Sequence, residues 1–383
     1  PPKYVEEETQ KTVRVLNQKC NRNYEISYDE SRIHNAAIKK VPEDKYLRYG
    51  DVLINSTGTG TAGRVAQVFN VPVSTTIDGH MILIRPTDEI DSLYYGYAVK
   101  NYQKKIESLA EGSTGQTEIN RQRLQDEIVI RFPKKKELQK SIGTFLFQID
   151  EKIKNNNRIN NNLLQQALAV YKAWFCDYVL SDGVLPESWH IATIDALSSL
   201  VTRGIAPKYD DSSNQIVLNQ KCIRDHTIDV SLARRHLQKK INEKYISKGD
   251  LLINSTGTGT LGRVAQVWFD ANNMTVDSHI TIVRPKAPIL QSYIGFWGLS
   301  HESEIEAQHT GSTGQTELPR DRVKAMELPL PDEYTLSKFN ELVIPMTDAV
   351  VSNQKENARL SQLRDTLLPK LMSGEIDVSE LEL

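Results

Sequence analysis

The strongest constraint on this chain is that much of it is written twice. Gly50-Asp51-Val52-Leu53-Ile54-Asn55-Ser56-Thr57-Gly58-Thr59-Gly60-Thr61-Ala62-Gly63-Arg64-Val65 returns as Gly249-Asp250-Leu251-Leu252-Ile253-Asn254-Ser255-Thr256-Gly257-Thr258-Gly259-Thr260-Leu261-Gly262-Arg263-Val264. The spacing of 199 residues persists through Asp78 and Asp277, His80 and His279, and Arg85-Pro86 and Arg284-Pro285. It still holds at Gly112-Ser113-Thr114-Gly115-Gln116-Thr117-Glu118 against Gly311-Ser312-Thr313-Gly314-Gln315-Thr316-Glu317, and at Arg121 and Arg123 against Arg320 and Arg322. Between 50 and 123 about half the positions are identical. Upstream, Val15-Leu16-Asn17-Gln18-Lys19-Cys20 matches Val217-Leu218-Asn219-Gln220-Lys221-Cys222 after a small shift. Such a repeat is one folding unit used twice, and 383 residues leave room for two or three domains.

Each copy is followed by a different kind of segment. After the first, Leu138, Ile142, Phe145, Leu146, Ile149, Ile153, Leu163, Leu164, Ala167 and Tyr171 recur at spacings of three and four; after the second, Leu336, Phe339, Val343, Met346, Val350, Leu360, Leu363 and Leu367 do the same. Each spacing predicts an amphipathic helix of up to ~40 residues, ~60 Å long. Two such stripes bury each other as a coiled coil. Pro345 is expected to kink or start the second helix. The asparagines at 155–157 and 160–162 read as a polar seam, a fray point or, most plainly, a solvated face; at a core position Asn fixes register. Short β-branched runs at 52–55, 65–68 and 81–85, punctuated by Gly, Ser and Thr, make the repeated units β-rich. The expected fold is α+β: β-rich units at 1–134 and 181–332, a central helix at 135–180 and a C-terminal helix and tail at 333–383. The two helices are expected to pack along each other, which with the duplicated units gives pseudo-two-fold symmetry.

Hydrophobic residues at 39% and charged residues at 25% describe a folded chain. No apolar run reaches the ~18–20 residues of a membrane helix, and the first residues lack a signal-peptide core. Three scattered cysteines, Cys20, Cys176 and Cys222, suit a reducing cytoplasm rather than a disulfide framework. A net charge of −2 argues mildly against a lone nucleic-acid binder. Charge is nevertheless segregated: 234–248 holds Arg234, Arg235, Lys239, Lys240, Lys244 and Lys248 against Glu243, while 375–383 carries only acids.

The enzyme motifs fail on their context. Gly58-Thr59-Gly60-Thr61-Ala62-Gly63 is a literal G-x-G-x-x-G, but a dinucleotide site needs a helix to open there, and Arg64-Val65-Ala66-Gln67-Val68 reads as a strand. As a kinase loop it lacks its lysine, base and metal ligand, and as a Walker A loop it has Arg64-Val65 where Lys-Ser/Thr belongs. Cys20 and Cys222 have no ligand-spaced partner and read as buried structural residues. The Asp78/His80 and Asp277/His279 pairs read as local strand-edge hydrogen bonding. No reaction centre emerges.

Two equivalent modules on paired helices suit a target read as two half-sites. The repeated loops supply Ser, Thr, Asn, Gln and Arg donors for phosphates and base edges, although their glycines read equally as tight turns. The candidate DNA contacts in the first unit are Lys19, Lys40, Lys45, Asn55, Thr57, Thr59 and Arg64, then Ser113, Thr114, Gln116, Thr117 and Arg121. In the second they are Lys221, Arg234, Arg235, Lys239, Lys244, Asn254, Thr256, Thr258 and Arg263, then Ser312, Thr313, Gln315, Thr316 and Arg320.

Over essentially its whole length the chain resembles the specificity subunits of type I restriction–modification systems. The resemblance rests on Ser-Thr-Gly-Thr-Gly-Thr-x-Gly-Arg-Val and Gly-Ser-Thr-Gly-Gln-Thr-Glu in each unit, on Tyr171-Lys172-Ala173-Trp174-Phe175, and on Leu185-Pro186-Glu187-Ser188-Trp189. Its most specific carrier is Leu363-Arg364-Asp365-Thr366-Leu367-Leu368-Pro369-Lys370-Leu371-Met372-Ser373-Gly374-Glu375-Ile376. It implies two target-recognition domains reading a bipartite double-stranded DNA site, with the two helices paired as an antiparallel coiled coil that acts as ruler and as dock for two modification (methyltransferase) subunits, to which restriction subunits add. It also implies a non-catalytic chain, with S-adenosylmethionine and ATP used by the partners and no metal or cofactor held here. The specificity subunit of a type IIB-like system is the alternative within DNA recognition; a nucleotide-binding enzyme using the glycine loops and a pure scaffold are alternatives outside it. One departure stands out: a lead-in at 189–205 precedes Ala206-Pro207-Lys208-Tyr209 in the second unit, while the first opens directly at Pro1-Pro2-Lys3-Tyr4, so a truncated and less stable first unit is expected. The near-identity of the units further predicts similar half-sites, arranged as an approximate inverted repeat, with any asymmetry mapping to 69–75 and 88–111 and their counterparts.

Overall fold

The structure, a computed structural model, describes residues 2–112, 117–238, 241–311 and 316–376. The chain divides into two compact units, Pro1–Lys154 with Asn357–Leu383, and Asn155–Glu356. Each long helix therefore contributes one stretch to each unit, instead of standing apart as a separate segment.

In unit 1 the strands β1 (Tyr4–Val5), β2 (Thr12–Leu16) and β3 (Arg32–Asn35) join β6 (Thr75–Ile77) in a sheet ordered β1-β3-β2-β6. β4 (Val52–Asn55), β5 (Val65–Gln67) and β7 (Met81–Ile84) form a second sheet ordered β5-β4-β7. All four residues of β4 are buried, which is why its apolar run is continuous rather than alternating. Helices α1 (Ser92–Asn101), α2 (Gln103–Ser108) and α3 (Arg121–Glu127) follow, then α4 (Lys136–Phe175). Asp91 caps α1 by accepting from Tyr94 N, and Asn120 caps α3 by accepting from the amides of Gln122 and Arg123. Gly143 lies in α4 because a Cβ there would sit 2.6 Å from Tyr94 N of α1.

Unit 2 repeats this plan with additions. Its lead-in forms β8 (His190–Thr193), α5 (Ile194–Leu197) and β9 (Ser198–Arg203). Next come β10 (Gln215–Leu218), β11 (Arg234–His236), β12 (Leu251–Asn254), β13 (Val264–Gln266), β14 (Met274–Val276) and β15 (Ile280–Pro285). Helices α6 (Gln291–Ser300), α7 (Glu302–Ala307) and α8 (Arg320–Lys324), the strand β16 (Glu327–Leu330) and α9 (Glu333–Ser373) complete it. The sheets run β11-β10-β14 and β9-β15-β12-β13, with β8 paired to β16.

Within each unit α4 and α9 pack antiparallel. Ile142 and Leu146 share a core with Leu368 and Leu371 in unit 1, and Leu164, Ala167, Tyr171 and Phe175 share one with Leu336, Phe339, Val343 and Val350 in unit 2. Pro345 neither starts nor interrupts α9, which begins at Glu333 and runs through it. Pro345 is exposed, as is Glu341, the residue whose carbonyl it leaves without an amide partner. The asparagine run is mixed. Asn155, Asn157, Asn161 and Asn162 are exposed, as a solvated face requires, whereas Asn156 is buried and donates to Glu356 Oε2 at 2.7 Å, and Asn160 accepts from Asn353 at 2.8 Å. Among the described residues no helix is long and apolar enough to cross a membrane.

Candidate nucleic-acid interface

Four segments far apart in sequence meet where β4 ends. Ser56 N donates to His80 O at 2.9 Å, Ile119 N donates to Ser56 O at 2.7 Å, and Gly58 N reaches Thr117 O at 3.3 Å. The Asn55 amide donates to Gln18 O at 3.0 Å, and the Thr57 hydroxyl bonds both Gln18 Oε1 at 3.0 Å and His80 Nδ1 at 2.9 Å. The turn at 17–20, the glycine loop, the Asp78–His80 corner and the strand-like 117–119 are thus fastened together.

Unit 2 builds the same cluster at the end of β12. Ser255 N donates to His279 O at 2.8 Å and Leu318 N to Ser255 O at 2.8 Å. Asn254 donates to Gln220 O at 3.1 Å, and Thr256 Oγ1 lies 2.7 Å from His279 Nδ1. The sequence repeat is therefore a repeat of side-chain hydrogen bonds as well as of backbone.

The glycine loop is a turn and not a phosphate cradle. Thr61 N and Ala62 N donate to Gly58 O, Gly63 N to Asn55 O and Arg64 N to Thr61 O, so these amides are engaged within the loop and with β4. A strand, β5, follows in place of a helix. Gly63 has φ +87°, and a Cβ there would sit 2.6 Å from Glu107 Cα, which explains that glycine by the close passage of α2. Asp78 accepts from His80 N at 2.9 Å as a local turn; burial raises its pKa while that bond and His80 oppose the rise. Cys20 and Cys222 are buried, and burial raises both thiol pKa values.

The candidate contacts separate into groups. Thr59 and Thr258 are exposed in the glycine loops, and Lys19 and Lys221 on the adjoining turns. Arg64 and Arg263 are half-buried, with Arg64 Nη2 donating back to Gly60 O at 3.0 Å. Thr57, Thr117, Thr256 and Thr316 are half-buried among the fastened segments, and Arg121 and Arg320 are exposed where α3 and α8 begin. Lys40, Lys45 and Arg121 line a groove of about 600 Å³ beside β7. Ser113, Thr114, Gln116, Lys239, Ser312, Thr313 and Gln315 lie outside the described residues.

Several of these residues carry internal duties. Asn55 and Asn254 are fully buried and act as locks on the turn before them, so neither side chain is a surface contact. Lys244 donates to Gly204 O at 3.0 Å, an internal duty that its place in a basic run concealed. Arg234 and Arg235 are exposed but tethered: Arg234 lies 3.4 Å over the Tyr209 ring, and Arg235 donates to Ser213 O at 3.1 Å.

Sequence reasoning missed Gln18 and Gln220, which hold the loop threonines, and the side chains around a second groove in unit 1. That groove, of about 620 Å³, is lined by Lys19, Arg32, Tyr4 and His80 together with Glu30 and Asp78. The glutamines were visible as the fourth residue of the repeated Val-Leu-Asn-Gln-Lys-Cys string. Tyr4 and Arg32 were visible as the counterparts of Tyr209 and Arg234, and each pair stacks guanidinium on ring.

Residues 9–165 match the family described as type I restriction modification DNA specificity domain. The chain is 26% identical to the type I restriction enzyme MjaIX specificity subunit of Methanocaldococcus jannaschii, over 94% of this chain and 85% of that one. It is 23% identical to the type I restriction enzyme HindI specificity subunit of Haemophilus influenzae, over 63% and 68% respectively. Its fold resembles the crystal structure of the type I restriction–modification S subunit from M. genitalium, with a TM-score of 0.55 and 18% identity over 86% of this chain and 84% of that one. With the duplicated loop cluster, these matches show a chain similar over most of its length to type I restriction–modification specificity subunits.

Proposed function

We propose that this chain reads double-stranded DNA sequence-specifically, as the specificity subunit of a type I restriction–modification complex, with each loop cluster contacting one half of a split target. The observation that carries the reading is the four-segment cluster built twice from the same residues, each copy presenting an exposed threonine, a neighbouring lysine and an arginine. Fastened loops hold donors at fixed spacing, which base-edge recognition demands. The exposed Lys19, Lys221, Arg121 and Arg320 suit phosphates, which set affinity and salt dependence but carry no sequence information.

In this reading the chain is not catalytic. Two modification subunits dock on α4 and α9, restriction subunits join them, and S-adenosylmethionine and ATP act on those partners. The helices set the spacer, so removing whole turns alters spacer length or abolishes binding while half-site identity stays. Because the units share about half their residues from 50 to 123, the half-sites are similar and inverted.

The test is selection from a randomised DNA library by the complex of this chain with its modification subunit. Arg64→Ala with Thr59→Ala should relax one half-site and leave the other intact; Arg263→Ala with Thr258→Ala should do the reverse. Relaxation of both halves by either pair, or of neither, contradicts the reading.

A further inference from the structure

The two units differ at one place that the recognition loops do not explain, the outer edge of the sheet containing β4 or β12. In unit 2, β15 bonds to β12 on one side and to β9 on the other, with Val201 opposite Val283, Thr202 opposite Ile282 and Arg203 opposite Thr281. The same lead-in pairs β8 with β16, and Ile194 and Leu197 join the core that covers Leu328. In unit 1, β7 pairs with β4 and, among the described residues, has no strand on its other edge. Leu83 and Ile84 are half-buried where Ile282 and Val283 are fully buried. Residues 128–131, the counterpart of β16, form no strand, and Val129 is 61% exposed where Leu328 is 2% exposed.

A groove of about 600 Å³ follows this edge, lined by Ile82, Leu83, Ile84, Leu124 and Lys45, with Pro2 at its margin. Its polar groups correspond to those that hold β9 in unit 2. Lys244 donates to Gly204 O at the end of the lead-in, and its counterpart Lys45 faces the groove. Arg203 pairs with Glu317 at 2.8 Å and donates to Leu318 O at 2.9 Å; the counterpart of Glu317, Glu118, is exposed. An uncovered edge with apolar side chains on its rim is a template for strand addition.

We propose that the β7 edge and residues 128–131 form a docking site for a strand–turn–strand polypeptide segment of the pattern seen at 190–205. The segment brings apolar residues at the positions of Ile194, Leu197 and Val201 and a guanidinium at that of Arg203. Its second strand adds to β7, its first pairs with 128–131 and covers Val129, its guanidinium meets Glu118, and its last carbonyl accepts from Lys45. Pro2, the counterpart of Pro207, already lies at the groove.

The test places residues 187–205 of this chain directly ahead of Pro1 and compares that protein with one carrying a glycine–serine leader of equal length. Hydrogen exchange at 81–85 and 128–131 should slow about tenfold or more with the segment, and a segment with proline at the position of Thr202, the hydrogen-bonded partner of Ile282, should return to the glycine–serine rate because it cannot donate there. Equal exchange with both leaders would overturn the proposal, as would slowing that the proline form retains. Exchange at β12 and β15 controls for unit 2, and because no DNA enters the measurement, its failure is distinct from failure of the DNA-reading proposal.

Discussion

The glycine-loop clusters of the two units are near copies, yet the surfaces that seat the units on their helices are chemically opposite. In unit 1 a single carboxylate joins three helices. Asp150 of α4 accepts from Tyr97 OH at 2.7 Å and from Lys100 Nζ at 3.1 Å, both of α1, and from Arg364 Nη1 of α9 at 2.5 Å. Lys100 also lies 4.0 Å over the Tyr24 ring. In unit 2 the counterparts of Tyr97 and Lys100 are Phe296 and Leu299. There Phe339 of α9 contacts Phe175 at 5.0 Å, Phe296 at 5.8 Å and Tyr171 at 6.0 Å, and Phe175 meets Tyr293 at 4.9 Å. One fold thus tolerates an ionic seat or an aromatic one. Constraint on the loops is separable from constraint on the seat, and the two seats should respond differently to acid and to truncation.

The largest effect is expected from Phe339→Ala, which empties the centre of the aromatic seat and should cost about 3–5 kcal/mol. All four tryptophans, Trp174, Trp189, Trp268 and Trp297, belong to unit 2, so denaturant unfolding followed by tryptophan fluorescence reads that unit alone. A loss below about 1 kcal/mol would mean that the aromatic contacts are incidental to stability. Asp150→Asn comes next. It leaves Lys100 and Arg364 without their shared counter-charge and should destabilise unit 1 by about 2–4 kcal/mol. Faster hydrogen exchange in α1, with the tryptophan transition unmoved, is the expected result; a shift of both would show that the seats are not independent.

Acid sharpens the same contrast. Burial pushes the Asp150 carboxyl up, but Lys100 and Arg364 outweigh it and hold its pKa below the ordinary value. A carboxylate with a depressed folded-state pKa contributes stability that is present above its unfolded pKa of about 3.9 and lost as pH falls through the folded value. Unit 1 should therefore loosen below about pH 4, with the acid limb flattened in Asp150→Asn. Exchange measured across that range checks it, and an acid limb unchanged by the substitution would exclude Asp150 as its source. The smallest structural effect belongs to Thr59→Ala, an exposed position that should change stability by no more than about 0.5 kcal/mol. A large stability loss there would make the threonine a fold element rather than a reading group.

Much of this was legible because local pattern and tertiary role coincide. The three-and-four spacing from Leu138 onward gives α4, and the 199-residue spacing gives two units with matching strands. The glycine loop was separable from a nucleotide site because Val65-Ala66-Gln67 reads as a strand. Asn55 was misread because a polar residue closing an apolar run looks like the start of a solvent-exposed loop; only the neighbouring turn, whose carbonyl it binds, makes burial tolerable. The internal bond of Lys244 was not legible because charge in a run says nothing about a carbonyl forty residues upstream. Pro345 stays inside α9 because exposure of its turn removes most of the usual cost, and exposure is not visible in a lone proline. The ionic seat was invisible for a similar reason: Lys100, Asp150 and Arg364 are three charges among many until the fold brings them together.

The most direct measurement is long-read mapping of methylated bases in a methylation-free host that expresses this chain with its modification subunit, beside hosts expressing either alone. Two duplicated loop clusters predict a split motif with similar inverted halves, present only when both proteins are made. A motif with unrelated halves, or an unsplit one, would contradict the assignment of one near-identical cluster to each half-site.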